Sequence, residues 1–237
     1  MIDVSPYIDT RNKALWEELN SSNYTIRLQE STEPNYGCYC QGKNVIIYVL
    51  PSKPSCASFA HELLHAKYYI DGVTAGGCLK RMILQDQILV DVLTQDTIEL
   101  IANCMEHVKM LPQFLAMGYA NYEFMDDYES SKLSLEELRI LCNCYSANRL
   151  SAMDRFIGTY CAMRADNNPA HKYGIMFFFM RLLDKRLFII VEKFWDEWLQ
   201  YDTNRHREIW NPDYGQLVAD FVHSLSKHFA KYKALRI

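Results

Sequence analysis

Residues 45–50 read VIIYVL, a short, apolar, β-branched run that suits a sheet strand. Pro51-Ser52-Lys53-Pro54-Ser55 breaks it, and the segment FAHELLHAKYY (residues 59–69) follows with helical amphipathic spacing. Strand, break and histidine-bearing helix in immediate succession restrict the chain to folds in which a sheet feeds directly into that helix. Ser55 or Ser58 is the expected cap. Residues 24–29 and 36–41 are two further extended candidates, with Gly42-Lys43-Asn44 as the turn that joins 36–41 to 45–50 in a hairpin.

The rest reads as helix. Residues 11–20 (RNKALWEELN) form a short candidate. Segments near 79–93, 95–117, 134–147, 149–164, 174–200 and 213–234 place apolar residues three and four apart. Ser134-Leu135-Glu136-Glu137 is a capping box, and Asn167-Asn168-Pro169 and Asn211-Pro212-Asp213 mark breaks. The expected class is α+β, predominantly α: a small antiparallel sheet, then an active-site helix, then a helical bundle. A soft boundary near 125–133 divides a catalytic region, 1–125, from a helical region, 126–237, and the two are equally readable as one continuous domain.

A formal charge of -4 supplies no electrostatic reason to expect nucleic-acid binding. The first residues lack a secretory leader, and GIMFFFMRLL (174–183) is interrupted by Arg181, well short of the roughly 20 residues that cross a bilayer. The expectation is a soluble, cytoplasmic protein with no membrane partner. Eight cysteines, at 38, 40, 56, 78, 104, 142, 144 and 161, are then read as reduced structural thiols.

The chemistry concentrates at His61-Glu62-Leu63-Leu64-His65. Residues four apart share a helix face, so both imidazoles can turn to one zinc ion (Zn2+) at roughly 2.0–2.1 Å. Glu62 lies beside that face, placed to take a proton from water as it attacks a carbonyl. A catalytic zinc needs a third protein ligand, and the segment near 95–117 offers Glu99, Glu106 and His107 on a polar stripe that also includes Asn103. Asp96-Thr97-Ile98-Glu99 matches a capping box, which explains Glu99 without a metal. The reading therefore takes Glu106 as ligand and His107 as the group that polarises the substrate carbonyl. The reverse, with His107 as ligand and Glu106 as its hydrogen-bond partner, stands nearly level.

FAHELLHAKYY followed by ELIANCMEHVKMLP resembles the ImmA/IrrE type of zinc metallopeptidase. The matching positions are the two histidines and Glu62, then Glu99, Ala102, Asn103 and Pro112. The resemblance covers roughly residues 45–112. Leu64 stands where the family has glycine, and 34 residues separate His65 from Glu99, a longer stretch than usual. It implies a cytoplasmic zincin of gluzincin character that cleaves a protein or peptide substrate, in a regulatory or defence setting, and carried over literally it makes Glu99 the ligand. The contrasting expectation is a non-catalytic zincin-fold protein that binds a protein partner through its helical C-terminal half.

In that half, Phe177, Phe178, Phe179, Phe188, Phe194, Trp195, Trp198, Trp210, Phe221 and Phe229 read as core, with Phe194-Trp195-Asp196-Glu197-Trp198 as an alternative partner face. His171, His206, His223 and His228 read as structural or surface residues. Arg181, Lys185 and Arg186, and Lys227, Lys231 and Lys233, read as solvated faces.

Overall fold

A computed structural model describes residues 2–203 and 213–234. The expectations for His206, Trp210 and the Asn211-Pro212 break, and for the Lys233 side chain, lie outside the described residues. The elements run α1 (Lys13–Asn20), β1 (Thr25–Glu30), β2 (Gly37–Gln41), β3 (Asn44–Val49), α2 (Cys56–Ile70), α3 (Ala75–Leu84), α4 (Gln87–Val90), α5 (Gln95–Ala116), α6 (Leu135–Ala147), α7 (Arg149–Ala165), α8 (Gly174–Leu183), α9 (Lys185–Gln200) and α10 (Asp213–Ala234). The class is α+β, predominantly α. None of the described helices is long and apolar enough to cross a membrane.

β3 is the central strand. Its odd positions Val45, Ile47 and Val49 are fully buried, the period-2 pattern of a sheet packed on one face. β2 joins it by a hairpin in which Gln41 faces Asn44 and Gly42 has φ +57°, the first position of a type II′ turn. β1 lies on the other edge and runs parallel to β3, Thr25 opposite Asn44 and Glu30 opposite Val49. The sheet is therefore mixed rather than antiparallel as expected. The chain leaves β1, passes over the adjacent position to form the far edge, and the hairpin then returns β3 into the gap. Alternation of side chains carries no information about strand direction.

Two compact units form. One holds the residues up to Thr74 together with Lys109–Tyr128, the other Ala75–Val108 together with the described residues from Glu129 onward. The expected boundary near 125–133 coincides with one of these crossings. The expected assignment of everything before it to one region does not hold, because 75–108 belong with the helical unit. A single continuous helix, α5, passes from one unit to the other.

In the first unit Val45, Ile47 and Val49 pack in one core with Phe59, Ala60, Leu63 and Leu64 of α2 and Met110 and Phe114 of α5. Ser55 caps α2, its hydroxyl accepting the Ser58 N–H at 3.1 Å. The fully buried Asn12 donates to the carbonyls of Tyr7 (2.9 Å) and Cys56 (3.1 Å), and the Tyr119 hydroxyl donates to Cys56 as well (3.1 Å). Burial, reinforced by the Asp9 charge, pushes the Tyr119 phenol well up, so it stays a donor. These bonds hold the start of α2 on the N-terminal segment.

In the second unit the aromatic residues of α9 are core: Trp195 and Trp198 are fully buried, Phe194 stacks on Phe221 at 4.0 Å, and the Trp198 indole N–H donates to the Met105 carbonyl at 2.8 Å. The partner-face reading of Phe194–Trp198 is thereby overturned. The core reading fails in turn for Phe178 and Phe179, which are exposed. Two segments expected as single helices are each divided by an aspartate. Asp86 separates α3 from α4 and accepts the N–H groups of Ile88 and Leu89, while Asp184 separates α8 from α9 and accepts the N–H of Leu187. Neither break contains Gly or Pro, so periodicity ran through both. Cys104 and Cys161 lie in this core as small apolar side chains.

Asp184 is also a buried junction. His228 Nε2 lies 3.3 Å and an Arg149 guanidinium nitrogen 3.5 Å from its Oδ2. Burial alone raises its pKa, but the bonds from His228 and the Leu187 N–H, with the Arg149 charge, outweigh it and hold the carboxyl below its ordinary 3.8. His171 is likewise engaged, its Nδ1 2.7 Å from Asp166, and His223 is exposed, so the three described histidines of this half are structural or surface groups as read. Asp184→Ala removes a helix cap and leaves His228 buried opposite no carboxylate, and is expected to cost about 3 kcal/mol in urea unfolding at neutral pH. Because the folded-state value is depressed, the carboxylate's contribution is present above the ordinary value and is lost as pH falls through the lowered one. The deficit of the variant therefore shrinks on the acid side, and a deficit that stays constant down to acid unfolding contradicts this assignment.

Candidate metal centre

α2 presents His61, His65 and Tyr68 along one side, at i, i+4 and i+7. α5 answers with His107, Met110, Leu111 and Phe114, at i, i+3, i+4 and i+7. Met110 and Phe114 are fully buried in the same core as Leu63, Leu64 and Tyr68. The Tyr68 hydroxyl donates to the Lys109 carbonyl at 2.8 Å and accepts from Gln113 Nε2 at 3.1 Å. That pair of bonds sets α5 against α2 at a point half a turn from His107, and the continuity of α5 carries His107 to the histidine pair.

The result is one group of three imidazoles, His61, His65 and His107, whose ligand atoms all lie within 4.8 Å of one another. Nε2 of His61 and Nε2 of His65 are 3.2 Å apart. A tetrahedral zinc with bonds near 2.0–2.1 Å puts neighbouring ligand nitrogens roughly 3.3–3.4 Å apart. The α2 pair already has the edge length of such a site, and among the described residues the group has three protein donors, which leaves one position of a tetrahedral ion without a protein ligand. The residues fit a divalent zinc-type ion. Phe124 lies on the His61 ring at 4.7 Å and 49°, and Phe114 meets Phe124 at 5.1 Å, so the His61 side of the group has an aromatic wall.

The third member of the group is His107, where Glu106 was the expected ligand. Successive residues on a helix point about 100° apart, and only one of the pair can face α2. Glu106 faces α3 instead: a Cβ built on Gly76 comes 3.4 Å from Glu106 Oε1 and 2.7 Å from the Ala102 Cβ, so α3 and α5 touch there with no room for a side chain. As a member of the group, His107 has its ligand atom beside the other two, which replaces its expected role against the substrate carbonyl. Glu99 is farther still from the role that family resemblance gave it. It is exposed on α5, paired with Lys80 at 3.2 Å and accepting from Gln95, and these contacts lower its pKa, the Gln95 bond most. Asn103 is exposed too, so the polar stripe that invited a metal is in part a solvated face. The cap of α5 is Thr94, whose hydroxyl accepts the Thr97 N–H at 3.2 Å, in place of the expected Asp96 box. Pro112 falls inside α5.

A signal for His107 was present in the sequence. Met110, Leu111 and Phe114 form an apolar stripe that His107 extends by one turn, whereas Glu106 falls to its side. Periodicity alone could not say which of the two α5 faces meets α2, because Ile98, Ile101 and Met105 mark a second stripe that is buried in the other unit.

Glu62 follows His61 on α2 and sits about 60° round the helix from His65. It is 8% exposed, an uncommon place for a carboxylate. The arrangement therefore combines three nitrogen donors, a fourth position without a protein ligand among the described residues, and a buried carboxylate beside two of the donors.

His107→Ala is expected to lower zinc affinity by more than about 100-fold, beyond the 10–100-fold typical of an outer hydrogen-bond partner, and Glu106→Gln to leave it within a few-fold. Equilibrium dialysis against a metal buffer reads both, and the opposite ranking restores Glu106 as the ligand.

No family model matches this chain, and no match is found among curated proteins or among solved structures.

Proposed function

We propose that the chain is a zinc-dependent metallopeptidase that hydrolyses peptide bonds in a protein or peptide substrate. The observation that carries the reading is the convergence of His61, His65 and His107 with the buried Glu62 next to His61. A site that served only to stabilise the fold would need a fourth protein donor, and it would have no use for a carboxylate held at 8% exposure in the same helical turn as His61 and His65.

When bound, the ion supplies Lewis acidity toward water and toward the carbonyl of the scissile bond. Within that frame the protein's own groups divide the work. His61, His65 and His107, whose ligand atoms lie within 4.8 Å of one another, would hold the ion. A Glu62 carboxylate oxygen takes the proton of the attacking water and returns it to the departing amine nitrogen, so that one water and one amide give a carboxylic acid and an amine. Phe124, against the His61 ring, excludes solvent from that side and strengthens each of these charge interactions. The set is three histidines rather than the two histidines and carboxylate of a gluzincin. What remains of the ImmA/IrrE resemblance at the site is the His61–His65 segment with its glutamate.

Glu62→Gln keeps the size and leaves the three donors intact. It is expected to bind zinc as the native chain does while hydrolysis falls by on the order of 10²–10⁴. The measurement is terminus-labelling proteomics of a cell extract incubated with the zinc-loaded native chain and with the variant. Zinc-loaded native protein that generates no more new N-termini than the Glu62→Gln variant sinks the peptidase reading and leaves the metal site standing.

A further inference from the structure

α8 carries an apolar face that no part of the described protein covers. Ile175, Phe178, Phe179 and Leu182 recur at three- and four-residue spacing on one side and are 54%, 58%, 41% and 67% exposed, while Met180 on the opposite side is fully buried. Ile189, early in α9, is exposed as well. Single exposed apolar residues are ordinary, whereas a contiguous stripe of large ones marks a surface that meets something.

Along α8 and the segments on either side of it the exposed charges have one sign, and the first acidic side chain beyond them is the partly exposed Glu192 of α9. Between residues 167 and 191 the exposed ionisable side chains are Lys172, Arg181, Lys185 and Arg186. The only carboxylate in that span, Asp184, is buried, as is Asp166 just before it. α6, which packs on α8, exposes Glu136 and Glu137 together with Arg139, so the positive rim belongs to α8 and to the segments on either side of it.

We propose that this face docks on an anionic lipid surface, with the four apolar side chains of α8 entering the boundary between headgroups and acyl chains and the four cations against lipid phosphates. Three features favour a bilayer over other occupants. The stripe contains no polar atom, whereas a protein partner's interface carries about one hydrogen bond per 100–200 Å². A second copy of the chain on the same face would bring two sets of four cations together. Phe, Leu and Ile on one side with Lys and Arg alongside is the composition of helices that lie in the membrane interface, and ten residues, about 15 Å of helix, lie on a bilayer rather than span it. The inference is independent of the metal centre.

The test is co-sedimentation of the full chain with vesicles of phosphatidylcholine alone and of phosphatidylcholine with phosphatidylserine. The native chain is expected to pellet with the second and to remain in solution with the first. Each cation near an anionic surface contributes about fivefold in affinity, so Lys185→Gln with Arg186→Gln is expected to weaken binding about 25-fold. Phe178→Ser with Phe179→Ser is expected to abolish it, both variants keeping the native thermal melt because all four positions are exposed. A native chain that stays in solution with the anionic vesicles overturns the proposal. So does a serine variant that pellets as the native chain does, or a concentration-dependent dimer that the serine variant disperses.

Discussion

The register between α2 and α5 governs the rest. Tyr68 donates to a helix carbonyl, Lys109, and accepts from Gln113. Leu63 and Leu64 on one helix and Met110 and Phe114 on the other bury fully in the same core. Packed helices interlock through their side-chain ridges, so a fit of this kind admits few rotations of one helix against the other. Given that fit, His107 comes to His61 and His65, and Glu106 turns to α3. A rotation of α5 by one residue would exchange the two and place a carboxylate where the imidazole now stands. The convergence of the three histidines is thus a consequence of apolar packing one turn farther along the same helices.

α5 serves two cores at once. Its N-terminal stretch buries Ile98, Ile101 and Met105 in the second unit, where the Met105 carbonyl also accepts from the Trp198 indole, and its C-terminal stretch buries Met110 and Phe114 in the first. The changeover occurs between Met105 and Met110, the stretch that holds Glu106 and His107. Polar residues are tolerated there because neither apolar stripe is continuous across it. His107, the third member of the histidine group, occupies a gap in the hydrophobic pattern that the handover of the helix from one core to the other creates.

Aspartate acts repeatedly as punctuation in the helical unit. Asp86 and Asp184 each end one helix and cap the next, accepting N–H groups that would otherwise lack partners. At 100° per residue, Met180 has the phase of Leu187, Val191 and Trp198, all buried, whereas Ile175, Phe178, Phe179 and Leu182 lie away from that phase and are exposed.

The sequence by itself determined the local elements. A serine cap at Ser55 or Ser58, the Gly42 hairpin, the buried alternation of β3, the Ser134 capping box and the pairing of His61 with His65 are all short-range consequences of steric and hydrogen-bonding preference, legible within a few residues. Only the tertiary structure decided what lies far apart along the chain: that β1 is parallel to β3, that 75–108 join the helical unit, that His107 rather than Glu106 or Glu99 completes the histidine group, and that two of three consecutive phenylalanines face outward. Periodicity shows that a residue has an apolar neighbourhood within its own helix. It does not show which of two cores claims that face, because the choice depends on the rotation and direction with which elements pack, and those are set by contacts between residues tens of positions apart.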